Sequence, residues 1–161
     1  ARRAVEAVKY HPRGRRGMGG ARASAWGMKD GFGQYIIDSN QETMVIIQIE
    51  TKEAVDNISA ILAVEGVDAI LIGRLDLSQA YGIPGQSHDP LIANAVERLI
   101  DAVQDTGVAV GLFELDPQQA RHYTSRGVQL FETWLGYFLA RAAAGYMQQV
   151  RGEAARSVPR G

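Results

Sequence analysis

The sequence of 161 residues contains no cysteine, which excludes disulfide bonds and thiolate metal ligands and is compatible with a reducing cytoplasm. No apolar run reaches the roughly 20 residues that a membrane-spanning helix needs, and no signal-peptide pattern is present. The net charge of −1 at pH 7 gives the chain no strong field for nucleic acid. We therefore expect a cytoplasmic protein that binds neither membranes nor nucleic acid.

The residues that are present have the proportions of an ordinary globular protein. Hydrophobic residues make up 46% and charged residues 22%, which excludes disordered and fibrous classes. The length suffices for one core and is too short for two ordinary domains, so residues 1–161 are one domain or part of one. The chain starts inside a helical pattern with neither an initiator Met nor a cap residue, which favours a piece of a longer protein.

The stretch 44–82 predicts a strand, a helix, a second strand and the start of another helix. The runs 44–49 and 67–72 are short, apolar and rich in β-branched residues, as are strands buried on both faces. Between them Thr51 can cap a helix that ends at Gly66. Because a βαβ unit returns the chain in parallel, both strands end at the same edge of the sheet.

Each of these two strands is followed by an acidic residue, Glu50 after the first and Asp76 after the second. Neighbouring strands lie about 4.8 Å apart, and parallel sheets bind ligands at the carboxyl ends of their strands. Two carboxylates so placed can share a hard divalent cation such as Mg²⁺ or Mn²⁺, with water and substrate completing the coordination. The alternative is that both acids only cap the following helices, since acids are favoured near helix N-termini.

Two further strands and several helices extend the alternation. The strands are predicted at 108–113 and 128–131, and the helices at 89–105, 116–127 and 134–150, with the tail from residue 151 frayed. Asp followed by Pro opens two of these helices, as cap and first helical residue. Strands that alternate with helices form a parallel sheet. Four such β/α units are about half of a (β/α)₈ barrel, which needs roughly 250 residues.

Two glycine-containing segments are predicted as loops. Residues 11–24 combine Arg with Gly, which favours an anion-binding loop or a subunit contact, with a nucleic-acid patch as the weaker alternative. Residues 26–40 show no clear period and predict an ordered loop with one helical turn near its end. Glu114 and Glu132 follow the third and fourth strands, where each either extends an acidic rim or starts a helix.

Three motifs carry a resemblance to a known family. They are YHPRGRRGMGGARAS, VIIQIET and EGVDAILIGRLDLSQAYGIPG. In their order and spacing they resemble the HpcH/HpaI aldolase/citrate lyase family, the metal-dependent class II pyruvate aldolases, over nearly the whole chain. The resemblance implies a (β/α)₈ barrel of the phosphoenolpyruvate/pyruvate type and a homo-oligomer, a hexamer in the family. It also implies cleavage of 4-hydroxy-2-oxo acids to pyruvate and an aldehyde.

The same resemblance implies roles for four residues of this chain. Glu50 and Asp76 match the two ligands of the divalent metal, which is Mg²⁺, Mn²⁺ or Co²⁺. Gln48 matches a side chain that contacts the 2-oxo acid substrate. Leu75 and Asp76 match positions whose backbone N–H groups hold the pyruvate carboxylate. A divalent cation in such a site stabilises the enolate that forms on carbon–carbon cleavage.

The chain also departs from the family pattern. The Gly-Pro-x-Asp-Leu-Ser motif has Arg74 in place of Pro, which is expected to loosen the loop that presents Asp76. His11 replaces the first Pro of the Arg-Gly loop, and Thr133 and Trp134 stand where relatives often have Thr-Asp. The family's general-base His and its transition-state Arg lie on strands of the barrel that come before the four strands predicted here. We therefore expect the second half of a barrel, with no catalytic acid or base of its own and little aldolase activity alone.

The sequence is also compatible with two other functions. A half barrel that pairs with a copy of itself would be a non-catalytic assembly module, with the acids as helix caps and the Arg-Gly loop as subunit contact. A citryl-CoA or malyl-CoA lyase is a further option within the superfamily. A module should assemble whether or not a metal ion is present, which distinguishes it from the metal-dependent enzymes.

Overall fold

One parallel sheet organises the computed structural model, which describes residues 1–28 and 31–151. Its strands are β1 (Ile46–Ile49), β2 (Ala69–Ile72), β3 (Ala109–Phe113) and β4 (Leu130–Glu132). They lie side by side in chain order, and each neighbouring pair is parallel. The predicted strand positions and the predicted parallel sheet are therefore confirmed. Each strand begins one or two residues later than predicted. Buried valines such as Val45 and Val67 stand just before the ladder starts, and they extend the apolar sequence pattern beyond the strand itself.

Helices precede, connect and follow these strands. They are α1 (Arg2–Val8) and α2 (Gly31–Glu42) before β1, α3 (Lys52–Asp56) and α4 (Ile58–Leu62) before β2, α5 (Arg74–Ala80) and α6 (Pro90–Val103) before β3, α7 (Pro117–Ser125) before β4, and α8 (Leu135–Arg151) after it. A short 3-10 segment spans Arg22–Gly27. Within the described ranges, none of these helices has both the length and the apolar character needed to cross a bilayer.

The predicted helix caps are confirmed by hydrogen bonds at three helix starts. The Thr51 hydroxyl accepts from the Ala54 N–H at 3.1 Å, and the Asp89 carboxylate accepts from the Leu91 N–H at 2.8 Å. Asp116 accepts from the first backbone N–H groups of α7. Each cap satisfies N–H groups that a helix start leaves without an internal partner.

Two expectations about local structure need adjustment, and a third falls almost wholly outside the described residues. The single helix expected after Thr51 is divided into α3 and α4, because Asn57 has φ −100° and ψ 17° and interrupts the helix. Residues 26–40, expected to be a loop with one helical turn, contain most of α2, a helix of 12 residues that continues to Glu42, while residues 29 and 30 lie outside the described part. The tail expected to fray also lies outside it from residue 152 onward, and Arg151 still belongs to α8.

The core lies on one face of the sheet, between the strands and the helices. Its strand residues alternate along the chain, and its helical part comes mainly from α6; the fully buried members include Ile49, Ile70, Ile72, Leu112, Ile92, Val96, Leu99 and Ile100. Since side chains alternate between the two faces of a strand, the residues between them belong to the other face. That second face is more open than predicted, because Ile46 and Gln48 are exposed there.

A buried lysine fastens α1 to the end of α2. Lys9 is only 2% exposed, and its ammonium group donates to the backbone carbonyls of Asn40, at 3.0 Å, and of Thr43. The Asn40 side chain in turn bonds both the N–H and the carbonyl of Tyr10, at 2.7 and 3.1 Å. A cation is favourable at a helix C-terminus, where carbonyls lack helical partners.

Replacing Lys9 by Met tests this anchor. The substitution leaves the Thr43 carbonyl without its Lys9 donor and the Asn40 carbonyl with Arg13 alone, and a buried acceptor that loses its donor typically costs about 1–3 kcal/mol. We expect a corresponding loss in the free energy of unfolding, measured by urea denaturation followed by circular dichroism. Lys52→Met is the matched control, because Lys52 pairs with Asp56 on the exposed surface and such pairs contribute little. Equal destabilisation by the two substitutions would contradict the anchoring role of Lys9.

Candidate functional site

Gln48 and Glu50 lie at the carboxyl end of β1, on the open face of the sheet. Gln48 is opposite Leu71 in the β1–β2 register, and Glu50 follows Ile49, the last paired residue. Ile49 is fully buried in the core. Because side chains alternate, Gln48 and Glu50 are therefore on the opposite face from Ile49 and on the same side as each other.

Gly73 gives these two side chains room on the neighbouring strand. Its N–H donates to the carbonyl of Ile49 at 2.9 Å, which continues the ladder by one residue beyond β2. A Cβ added at Gly73 would lie 3.1 Å from Cβ of Glu50, 3.2 Å from Nε2 of Gln48 and 3.4 Å from Oε2 of Glu50. The backbone φ of Gly73 is −90°, so glycine is needed here for space rather than for conformation.

Asp76 lies in the first turn of α5, which begins directly after Gly73. Gly73 is the N-terminal cap residue, and its carbonyl accepts from the Leu77 N–H at 2.9 Å to close that turn. Leu75 and Asp76 are exposed, whereas Leu77 and Ser78 are fully buried and hold the helix to the protein. The first turn of a helix presents backbone N–H groups that have no partner inside the helix.

The expected common edge for Glu50 and Asp76 is therefore present. Their strands are parallel neighbours, and Glu50 stands beside the glycine that opens the turn of Asp76. Throughout residues 1–28 and 31–151, no three His, Asp or Glu side chains are grouped so as to hold a metal ion. Two carboxylates fit a hard cation such as Mg²⁺, which usually keeps several waters and is bound by one or two protein carboxylates plus substrate oxygens.

Arg74, which was expected to loosen the Asp76 loop in place of Pro, is bonded to the neighbouring strand. Its Nη2 donates to the carbonyl of Phe113 at 2.6 Å and to Oε2 of Glu114 at 2.9 Å. The side chains of this ion pair are only 10% and 4% exposed. The guanidinium carbon also lies 5.9 Å from the ring centroid of Tyr123, within the range of a cation–π contact.

The acids at the ends of β3 and β4, Glu114 and Glu132, differ in their surroundings. Glu114 is buried, and its Oε1 accepts from the N–H groups of Leu115 at 2.8 Å and Asp116 at 2.9 Å, so its carboxylate is held by the chain itself. Glu132 ends β4 and is exposed. The Arg74–Glu114 pair was missed in the sequence because the partners are 40 residues apart. The signal was an Arg at a helix start and an acid at the end of the next strand.

The Arg-Gly loop uses two of its arginines to attach itself to α2. Arg13 donates to the carbonyl of Asn40 at 3.2 Å. Arg16 donates to the hydroxyl of Ser39 at 3.3 Å, and its guanidinium lies 4.9 Å from the ring centroid of Tyr10. Anion binding or subunit contact by this loop stays a prediction, which now concerns its two other arginines, Arg15 and Arg22, both of which are exposed.

Comparison with known sequences identifies the family of the chain. The family model for HpcH/HpaI aldolase/citrate lyase matches residues 1–137. A 4-hydroxy-2-oxovalerate aldolase of Novosphingobium aromaticivorans is 34% identical over 145 residues, which are 90% of this chain and 54% of that protein. A 2-keto-3-deoxy-L-rhamnonate aldolase of Salmonella newport is 37% identical over 123 residues, 75% of this chain and 45% of that protein. The chain thus spans about half the length of the curated relatives it matches.

Solved structures of similar proteins have the same fold. An HpcH/HpaI aldolase/citrate lyase family protein from Burkholderia cenocepacia superposes with a TM-score of 0.83 at 33% identity, covering 91% of this chain and 58% of that one. An HpcH/HpaI aldolase from Desulfitobacterium hafniense gives 0.78 at 31% identity, covering 96% and 60%. The four parallel β/α units are therefore part of a (β/α)₈ barrel. On sequence and structure alike, the chain belongs to the HpcH/HpaI aldolase/citrate lyase family.

Proposed function

We propose that this chain carries the metal and oxo-acid half of a divalent-metal-dependent pyruvate aldolase, which cleaves a 4-hydroxy-2-oxo acid to pyruvate and an aldehyde. The observation that carries the proposal is the placement of Gln48 and Glu50 against Gly73, at the start of the turn that contains Asp76. Family membership and the aldolase activities named for the relatives support the reaction class.

Glu50 and Asp76 are the proposed ligands of the metal ion. Carboxylate oxygens suit Mg²⁺ and Mn²⁺, and two of them leave coordination positions for water and for substrate oxygens. Co²⁺ is the third candidate through the family resemblance. When bound, the cation supplies positive charge that stabilises the negative charge developing on the oxo acid as the carbon–carbon bond breaks.

The chain's other groups bind and orient the oxo acid in this proposal. The Gln48 carboxamide donates to an oxygen of the substrate, from the same sheet face as Glu50. The backbone N–H groups of Leu75 and Asp76 receive the pyruvate carboxylate at the first turn of α5, where anions are favoured. Gly73 keeps the space between these groups free of a side chain. The proposal assigns proton transfer to no residue of this chain.

A homo-oligomer is also proposed, and one observation favours the assembly module as second candidate. The helix α8 buries no residue against the described part of the chain. It exposes large apolar side chains, including Leu135, Phe138 and Leu139. Exposed apolar surface of this kind is typical of protein contacts. A module assembles equally with and without Mn²⁺, whereas the aldolase proposal requires that the site residues bind the ion.

The metal assignment is tested by titrating the chain with Mn²⁺ in a calorimeter. Glu50→Gln and Asp76→Asn each remove a proposed ligand without changing its size, and each should weaken Mn²⁺ binding by at least about 10-fold, since even residues behind the ligands contribute that much. Glu65→Gln and Asp105→Asn are matched controls that make the same charge change before β2 and β3, at the opposite edge of the sheet. If the ligand variants bind Mn²⁺ as the controls do, the assignment is wrong.

A second prediction concerns the space above Gly73. In Gly73→Ala the new methyl group presses on Gln48 and Glu50. We expect Mn²⁺ affinity to fall by about 3-fold to 10-fold because the carboxylate is displaced, while the free energy of unfolding changes by no more than about 1 kcal/mol. Gly33→Ala, in α2 with nothing within 4 Å of the added carbon, should leave Mn²⁺ affinity unchanged. If the affinity for Mn²⁺ is unchanged in both variants, Gly73 is not part of the metal site.

The substrate assignment predicts that pyruvate binding depends on both Mn²⁺ and Gln48. Gln48→Ala should reduce pyruvate affinity of the Mn²⁺-loaded chain by about 10-fold, the equivalent of one hydrogen bond, and should leave Mn²⁺ affinity nearly unchanged. Gln79→Ala, on the exposed part of α5, is the control and should match the wild type. The assignment fails if pyruvate binds as tightly in the presence of a chelator, or if the two glutamine variants are indistinguishable.

A further inference from the structure

We propose that the buried Arg74–Glu114 ion pair is a positioning device, which fixes the first turn of α5 and with it Leu75 and Asp76. What this turn binds rests on the function proposed above, whereas the attachment of the turn is a property of the fold itself. Arg74 is the first residue of α5, and Glu114 directly follows β3. The pair therefore joins the start of one helix to the end of the strand beside it.

The contacts of Arg74 show that the attachment is direct. A single nitrogen, Nη2, donates both to the Phe113 carbonyl at the end of β3 and to the Glu114 carboxylate. With side chains only 10% and 4% exposed, water competes little for these bonds. Hydrogen bonds between charged groups are stronger and better defined than neutral ones, particularly where water is excluded.

Glu114 is itself held in one orientation. Its second oxygen, Oε1, accepts from the backbone N–H groups of Leu115 and Asp116 while Oε2 faces Arg74. Both oxygens of this third acid are thereby occupied by the chain's own donors. The Glu114 carboxylate is therefore held in place at the end of β3, where it can fix Arg74.

The remainder of α5 is fixed by different contacts. Leu77 is fully buried in the core. The Ser78 hydroxyl donates to the Leu75 carbonyl at 2.6 Å and accepts from the Gly85 N–H at 3.0 Å. Loss of Arg74 would therefore release the start of α5 while its centre stays attached. Asp76 lies between the two attachments, so its position depends on both.

A positioning role differs from a stabilising one in what can replace it. A buried ion pair contributes little net stability compared with uncharged residues of similar volume. Proline at the first helical position fixes the backbone of a helix start without any side-chain partner. R74P/E114Q removes both charges, keeps an oxygen for Leu115 and Asp116, and should restore a rigid turn. A positioning role predicts that this variant restores the turn and the affinity for Mn²⁺, and that the change in R74A is confined to the turn; a merely stabilising role predicts a change throughout the fold.

The test measures amide hydrogen exchange and Mn²⁺ affinity on the 161-residue chain. The reporters are the N–H groups of Gly73 and Leu77, which bond to Ile49 and Gly73, and the reference is the set of amides in α6. In R74A we expect exchange at both reporters to rise about 10-fold or more relative to α6, and Mn²⁺ affinity to fall by about 10-fold, as for other residues that orient ligands. R74P/E114Q should return both values to near the wild type.

Three results would overturn the positioning role: unchanged reporter exchange in R74A, an equal rise throughout α6, or failure of R74P/E114Q to restore either value. E114Q alone serves where R74A does not fold, and it must also raise exchange at Leu77 more than in α6. If the wild type binds no Mn²⁺, the proposed function fails, and the exchange measurements still decide whether Arg74 positions the turn.

Discussion

The parallel register of β1 on β2 is the constraint on which the rest of the site depends. It places Ile49 opposite Ile72 and continues through the hydrogen bond from the Gly73 N–H to the Ile49 carbonyl. Both isoleucines are fully buried. A slip of one residue would move every side chain of the strand to the other face and drive Glu50 into the core. Apolar burial on one face of the sheet therefore determines where the polar groups stand on the other.

Buried polar side chains then fix the helix ends that the apolar core does not hold. The core fixes the strands and the buried side of α5, whereas Arg74 and Glu114 attach the exposed turn that begins this helix. Near the start of the chain, Lys9 and Asn40 attach α2 in a similar way, through hydrogen bonds to backbone groups. In both places a buried polar side chain determines the position of a helix end, since helix ends expose backbone groups that need partners.

Much of this architecture could be predicted from local patterns, and the rest depends on distant contacts. The strands and the caps at Asp89 and Asp116 follow from β-branched runs and Asp-Pro pairs, which act within a few residues. The helix α2 was underestimated because its glycines weaken the local pattern and its attachment comes from Lys9, 31 residues from Asn40. The Arg74 contact spans 40 residues, so the local pattern, which indicated only a lost proline, could not predict it. The position of Glu50 and Asp76 at one edge of the sheet could be predicted because strand ends carry their own sequence signal, whereas their role as metal ligands stays a prediction.

A crystal of the chain grown with Mn²⁺ tests the central claim most directly, through anomalous scattering from the metal. The account predicts one strong peak within coordination distance of both the Glu50 and the Asp76 carboxylates, roughly 2.0–2.6 Å by the range of hard divalent ions on oxygen. Water should complete the coordination, and Glu114 should remain bonded to Arg74. A peak bound to only one of the two carboxylates, or Mn²⁺ located elsewhere with this edge of the sheet empty, would contradict it.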